Sequence, residues 1–390
     1  MNANVCTECG VVRIPVTTPT IVDLFAGPGG WDIAARDLGL DPIGIELSAS
    51  ACATRAANGL ATIRASVADY PPERFGHITG LIASPPCPLF SSAGSGAGRA
   101  LIAEICAAVT DALAGQPLAP HRAILEAMTS PTIALEASLT AEPARWIAAT
   151  RPEWIALEQV PAVLPIWRHY AHLLRAAGYS AWAGILSAEQ YGAPQTRRRA
   201  VLIASRTRTV TRPEPTHQRF EPGTAAGAAD ECHPSLFSPG LLPWVSMADA
   251  LATTEPFSTR TLRGAGMVER SGGRRPRGHD EPAPTITASL DNGNKRWTVN
   301  THTDQRPDGT TQERPLDAPA PTLPGKSGGQ WTMAREDDAP TIRLTTEQAA
   351  ALQTFPPTHR FVGNKTAVFQ QIGNAVPPIV SAAILRTVAA

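Results

Sequence analysis

Across residues 20–205, short β-type apolar runs alternate with helix-length amphipathic stretches. Thr20-Ile21-Val22-Asp23-Leu24-Phe25 reads as a buried strand, followed by a glycine-rich turn and a helical pattern from Trp31. Pro42-Ile43-Gly44-Ile45-Glu46 reads as a second strand, and Ser48 is placed to cap the alanine-rich helix after it. Leu81-Ile82-Ala83, Trp154-Ile155-Ala156-Leu157 and Ala200-Val201-Leu202-Ile203 read as further strands. This alternation predicts an α/β fold with a mostly parallel sheet covered by helices. In such a sheet, ligands bind beyond the carboxyl ends of the strands.

The pattern changes near residue 206. Between 206 and 340 there are 16 Pro and 13 Gly in 135 residues, above the usual share but below that of low-complexity chains. A small loop-rich domain is expected there. It contains an unevenly spaced echo (Pro282-Ala283-Pro284-Thr285, Pro319-Ala320-Pro321-Thr322, Ala339-Pro340-Thr341), read as extended segments of an irregular sheet. Helical patterning returns over 345–352, and 377–388 reads as a closing helix packed back onto the first domain. The expected division is an extension at 1–19, a main domain at 20–205 plus 366–390, and a second, smaller domain at 206–365.

Composition narrows the class. Of 390 residues, 43% are hydrophobic and 17% charged, which describes a globular chain. No uninterrupted apolar run reaches the roughly 18 residues of a membrane helix, and the first twenty residues do not resemble a secretory signal. A cytoplasmic location is expected, and six cysteines at 6, 9, 52, 87, 106 and 232, without framework spacing, fit a reducing compartment. The 34 basic residues balance 34 acidic ones, so a polyanion would have to be held by a local patch rather than by bulk charge.

Five segments can carry chemistry. Gly27-Pro28-Gly29-Gly30 at a strand-to-helix turn, with Glu46 at the end of the next strand, suits a nucleoside-containing cofactor, a dinucleotide or S-adenosylmethionine, although a plain tight turn looks the same. Ser84-Pro85-Pro86-Cys87 places a thiol just after a strand, before a small-residue loop at 91–98 able to close over it. Glu158, emerging from an apolar run, is a candidate proton donor. In Gln195-Thr196-Arg197-Arg198-Arg199, alternation puts Arg197 and Arg199 on one face, where they want an anion: a phosphate or the Glu158 carboxylate. Gln371-Ile372-Gly373-Asn374-Ala375-Val376-Pro377-Pro378 reads as a turn into a helix.

Together, and in this order, these segments resemble the DNA (cytosine-5) methyltransferases over nearly the whole chain. The resemblance implies a Rossmann-like doubly wound methyltransferase sheet with a target-recognition domain at 206–365. It implies an S-adenosylmethionine pocket lined by Phe25, Gly27, Pro28, Gly29, Gly30, Glu46, Leu47, Val67, Pro86, Asn374 and Ala375. Leu139 falls where the family has a cofactor-contacting leucine, and Ser66 or Asp69 is left as the adenine contact. It makes Cys87 the nucleophile and Glu158 its acid partner, supported by Arg197 and Arg199. Departures are Pro88 where the family has Gln, and Glu158-Gln159-Val160 for Glu-Asn-Val. An insertion is expected near 115–130.

By the same resemblance the thiolate adds to carbon 6 of a cytosine flipped out of the duplex. Ser91 and Gln195 are then expected near double-stranded DNA, as are Arg260, Arg263, Arg274, Arg275 and Arg277, from an arginine-rich stretch at 258–280. A monomer working beside a separate restriction endonuclease is expected. The Cys-Phe-Thr signature of the tRNA-acting relatives is missing, and intact reacting groups argue against a silent DNA-binding relative. Cys6 and Cys9 resemble half a zinc knuckle without its second pair, so no metal is expected.

Overall fold

The computed structural model describes residues 20–86, 90, 100–220, 240–251 and 345–389 in full. It also gives the backbone of short strands at 4–5, 12–13, 258–259, 277–278, 283–284, 302–305, 311–313, 332–333 and 342–343. A short antiparallel pair, β1 (Asn4–Val5) and β2 (Val12–Arg13), precedes the main domain. The main strands are β3 (Ile21–Leu24), β4 (Ile43–Glu46), β5 (Thr62–Arg64), β6 (Gly80–Ala83), β7 (Trp154–Gln159), β8 (Ser180–Ser187) and β10 (Arg198–Ser205), with β9 (Gln195–Thr196) just before the last. The helices among them are α1 (Gly30–Asp37), α2 (Ala49–Ala57), α3 (Ile102–Leu113), α4 (Ala119–Met128), α5 (Pro131–Leu139), α6 (Glu142–Thr150) and α7 (Leu164–Ala176).

The main strands form a seven-stranded sheet in the order β5-β4-β3-β6-β7-β10-β8. The first five are parallel; β10 runs antiparallel to both β7 and β8. The expected α/β fold is therefore present as a mixed sheet. Strand alternation divides its side chains cleanly. Val22, Leu24, Leu81, Ile155, Leu157 and Leu202 pack under α3, α6 and α7, while Ile21, Ile82, Ala156, Val201 and Ile203 pack against α1 and the final helix. Trp146 and Trp167 are completely buried, and each gives its indole N–H to a carbonyl, of Val67 and Ala200 respectively.

Beyond residue 206 the described pieces are α8 (Met247–Leu251), β11 (Ser258–Thr259) paired with β12 (Arg277–Gly278), β13 (Ala283–Pro284), the pair β14 (His302–Gln305) and β15 (Thr311–Glu313), and the pair β16 (Thr332–Met333) and β17 (Ile342–Arg343). The chain then forms α9 (Thr346–Leu352), α10 (Lys365–Asn374) and α11 (Pro378–Val388). Met247, Ala349, Leu352, Val368, Phe369 and Ile372 make a small core of their own. The expected Ser48 cap is present, accepting from Ala51 N, and Thr345 adds a reciprocal capping box with Gln348. The segment at 371–378 differs from the expectation of a turn leading into a helix, because Gln371 to Asn374 is the last turn of α10 and the break at 375–377 separates it from α11. Among the described residues, the one stretch long and apolar enough to cross a membrane is this same 365–388 segment, and its most apolar 18-residue window is 78% buried inside the protein.

Candidate active site

The chain leaves β3 to build β4 and β5 on one side, then returns to build β6 and β7 on the other. The crevice at this switch point lies between the carboxyl ends of β3 and β6, where open α/β sheets bind their ligands. The glycine turn follows β3 and the Ser84-Pro85-Pro86 segment follows β6.

In the turn, Phe25, Gly27 and Gly29 adopt φ of 60°, 53° and 103°, a left-handed region that only glycine enters without strain. Glu46 fixes this backbone: Oε2 accepts from Gly27 N at 2.8 Å and Oε1 from Ser48 N at 2.7 Å. A side chain on Gly29 would strike Leu60, and one on Gly30 would strike the Val376 carbonyl. Gly30 therefore lets the segment before α11 approach the turn. Leu47, beside Glu46, is an apolar side chain left 65% exposed. Asn374 is exposed at the end of α10, with Ala375 buried next to it.

The other side of the crevice is held just as closely. Trp31 Nε1 donates to Ser84 Oγ at 3.0 Å. The Gln159 amide donates to the Pro85 carbonyl and accepts from Val160 N. The longer amide thus keeps a structural task at the end of β7. Pro85 is buried and Pro86 exposed; Cys87, the next residue, lies outside the described residues, as does Ser91.

Glu158 sits on β7 opposite Val201 of β10, one residue before the Gln159 that holds Pro85. Arg199 Nε lies 2.8 Å from Glu158 Oε1, with both side chains at most 10% exposed. Arg197 is 2% exposed and donates to the Gly373 carbonyl at 3.0 Å, while Arg198 points to solvent. Burial, and then the charge of Arg199, press the Arg197 guanidinium below its ordinary pKa, with Glu158 opposing them. The predicted face holds, and of the pair it is Arg199 that takes the carboxylate.

Other expected residues scatter. Ser66 opens a turn whose Val67 carbonyl accepts from Arg145, and Asp69 is exposed. Leu139 closes α5 and is half-buried. Arg260, Arg263, Arg274 and Arg275 lie outside the described residues, as do Cys6 and Cys9; Arg277 lies on β12, given as backbone only.

Several neighbours of the turn had no sequence signal. Arg55 on α2 is wholly buried and reaches Asp32 through two bonds of 2.7 Å and the Ala26 carbonyl at 3.3 Å. The segment at 353–364 straps across α2: Asn58 bonds both the N–H and the carbonyl of Arg360, and Thr54 does the same for Val362. The strap carries His359, packed against Phe355 and Phe361. Burial lowers its pKa to about 4, so the ring is neutral. No periodicity announces such contacts, since each joins residues hundreds of positions apart.

The profile of the family described as C-5 cytosine-specific DNA methylase matches residues 19–111 and 132–390. The chain belongs to this family. It is a DNA cytosine-5 methyltransferase, and the unmatched stretch contains α4, where an insertion was expected. Among relatives, it is 26% identical over 376 residues to Type II methyltransferase M.AplI of Arthrospira platensis, covering 94% of this chain and 85% of that one. It is also 26% identical to Type II methyltransferase M.HgiDI of Herpetosiphon aurantiacus, covering 91% and 89%. Of solved structures, the S. pombe Dnmt2 methyltransferase superposes with a TM-score of 0.51 at 13% identity, covering 95% of this chain and 98% of that one. Entamoeba histolytica methyltransferase EhMeth gives 0.50 at 12% identity, with coverage of 95% and 98%. These two likenesses concern the fold.

Proposed function

We propose that this methyltransferase moves a methyl group from S-adenosylmethionine to carbon 5 of a cytosine swung out of a DNA duplex, through a transient bond from Cys87. The observation that carries the reading is the buried Glu158–Arg199 pair beside the Pro85-Pro86 segment that leads into Cys87.

The switch-point crevice suits the cofactor. Gly27 leaves bare backbone there, Gly29 and Gly30 let Leu60 and the Val376 carbonyl close in, and the Glu46 oxygens each accept one backbone N–H, which leaves lone pairs for ribose hydroxyls. Leu47 offers an apolar face for an adenine, and Asn374 with Ala375 closes the opposite wall. When bound, S-adenosylmethionine supplies the electrophilic methyl that the activated carbon 5 takes up.

The chain's own groups do the rest. Cytosine carbon 5 is a poor nucleophile until the Cys87 thiolate adds to carbon 6 while Glu158 gives a proton to nitrogen 3. Loss of the carbon 5 proton to a base such as water then expels the Cys87 thiolate, and nitrogen 3 returns its proton to Glu158. A free thiol with pKa near 8.5 is only a few per cent ionised at neutral pH, so the positive charge of Arg199 nearby favours the reactive form. Arg199 also fixes the direction of the Glu158 carboxyl group. Extruding the base costs a few kcal/mol, and the loop at 91–98 is assigned to cover it. The region 206–365 is assigned to reading the sequence, with the arginines of 258–280 on phosphates. As with the Type II relatives, the role proposed is modification beside a separate restriction endonuclease, by a monomer in the cytoplasm.

The test uses a duplex bearing 5-fluorocytosine at a target found by bisulfite sequencing of host DNA after expression. The wild-type protein should become permanently crosslinked and Cys87→Ala should not; a crosslink that survives Cys87→Ala overturns the assignment.

A further inference from the structure

The two carbonyls flanking Asn374 are each claimed by a buried side chain from elsewhere in the chain. Arg197 Nη1 donates to Gly373 O at 3.0 Å, and Gln353 Nε2 donates to Ala375 O at 2.7 Å. Gln353 is completely buried and uses its other end as well, Oε1 accepting from Gln195 Nε2 at 2.7 Å. Gln195, equally buried, also reaches the Leu352 carbonyl at 3.3 Å. The orientation is dictated by chemistry: Ala375 O can only accept, so the amide NH2 must face it and the amide oxygen is left for Gln195.

A second clamp follows one residue on. Thr354 turns at a φ of 65°, and its Oγ1 accepts from Ile379 N at 3.3 Å in the first turn of α11. The segment held in this way carries the Val376 carbonyl that abuts Gly30. On the far side, Gln195 belongs to β9, whose backbone pairs in parallel with Ala283–Pro284 of β13. The first copy of the Pro-Ala-Pro echo is therefore a sheet partner of the strand leading into the arginine pair.

We infer that Gln353 is a positioning residue for the cofactor turn, oriented by Gln195, so that the strand bearing Arg197 and the turn bearing Asn374 keep one register. This rests on the reading of residues 374–375 as a cofactor wall. Among the described residues Gln353 is the donor that Ala375 O has, and a buried carbonyl stripped of its donor must be re-solvated or turned. Turning it moves the 375–376 peptide, and with it both Asn374 and the wall against Gly30. Gln353→Glu keeps length and acceptor but sets a carboxylate against a carbonyl. Gln353→Met removes both bonds at nearly constant volume. Gln195→Met leaves the bond to Ala375 in place, while freeing the orientation of Gln353 and giving up the weaker bond to the Leu352 carbonyl.

The experiment is titration calorimetry of the full-length protein with S-adenosylhomocysteine, together with the KM for S-adenosylmethionine and for a target duplex. Gln353→Glu and Gln353→Met should raise the Kd about tenfold or more, and Gln195→Met about threefold. The double Met variant should bind no more weakly than Gln353→Met alone. The cofactor KM should rise with the Kd while the duplex KM stays at the wild-type value. A purely structural residue would instead lower the thermal midpoint without moving that ratio. A Kd within twofold of wild type for folded Gln353→Met overturns the inference. Should the Gln353 variants not fold, the Gln195→Met protein decides it, a wild-type Kd overturning it and a raised one supporting it. Failure of the wild-type protein to bind, or undiminished binding by Glu46→Ala, overturns instead the cofactor site itself.

Discussion

Arg55 and Asp32 form a two-bond ion pair inside the main domain, with side chains 0% and 1% exposed. Asp23 lies beside them, completely buried. Burial first, and then the charge of Asp32, raises the Asp23 pKa well above the ordinary carboxylate range, against the pull of Arg55. One cation thus faces two acids behind the glycine turn, of which Asp23 holds its proton more tightly than an ordinary carboxylate.

The two aspartates should therefore respond oppositely to the same substitution. Asp32→Asn strands a buried guanidinium and should cost about 3–5 kcal/mol in chemical denaturation. Asp23→Asn removes the cost of carrying a proton into the fold and should be more stable than wild type at neutral pH, the two converging near pH 4. In the native state Asp23 holds its proton above the pH at which the unfolded chain loses it. Its effect is therefore a stability that falls as pH rises from about 4 toward the raised value. Asp23→Asn should flatten that slope, as melting curves over the range will show.

The inserted helix α4 should loosen on the alkaline side. His121 bonds Glu104 at 2.6 Å and Asp111 at 2.9 Å. Burial lowers its pKa, but the two carboxylates outweigh burial and the net shift is upward. Its stabilising effect is then complete below the unfolded value of about 6.5 and lost as pH rises through the folded one. Hydrogen exchange of residues 119–128 should speed up across that window, and His121→Gln should remove the pH dependence.

Gly30→Ala should abolish cofactor binding more thoroughly than its size suggests. The added methyl falls on the Val376 backbone, which cannot swing aside as a flexible side chain would. A loss of about tenfold or more in affinity is expected, read by calorimetry with S-adenosylhomocysteine.

Gln159→Leu should leave the fold in place and slow methylation. The Pro85 carbonyl loses its donor two residues before Cys87, the proposed nucleophile, and a displacement of that segment should lower the single-turnover rate about tenfold. Cofactor affinity should be unchanged.

Replacing Arg260, Arg263 and Arg274 together should weaken DNA binding and reduce its salt dependence. If each neutralises one phosphate, the slope of log K against log salt should become shallower by about 2 to 3. An unchanged slope would remove this stretch from the interface.

Much of this architecture was legible because it is local. The runs at 21–24, 43–46, 81–83, 154–157 and 200–203 announce strands by apolar character alone, and Ser48 announces a helix start by its capping chemistry. The strand β8, with Gly184 in the middle and several half-buried positions, gives no such run, so the antiparallel edge and the mixed sheet went unread. The motif segments foretold that Arg197 and Arg199 would share one face. They did not foretell that Arg199 would take Glu158 while Arg197 turned to Gly373, because strand register decides that. Arg55, Gln353 and His359 were invisible for a related reason: their partners are set by packing across the chain, and an arginine, a glutamine or a histidine in isolation carries no mark of it.

The abutment of Gly30 on Val376 also has a bearing on biosynthesis. One wall of the crevice is translated near the beginning and its counterpart only with α10 and α11. A nascent polypeptide still tethered at its later half cannot complete the pocket, however early β3, β4 and β6 assemble. Methylation competence should thus arrive abruptly, once residue 388 has cleared the ribosomal exit tunnel, rather than accumulate as the chain lengthens.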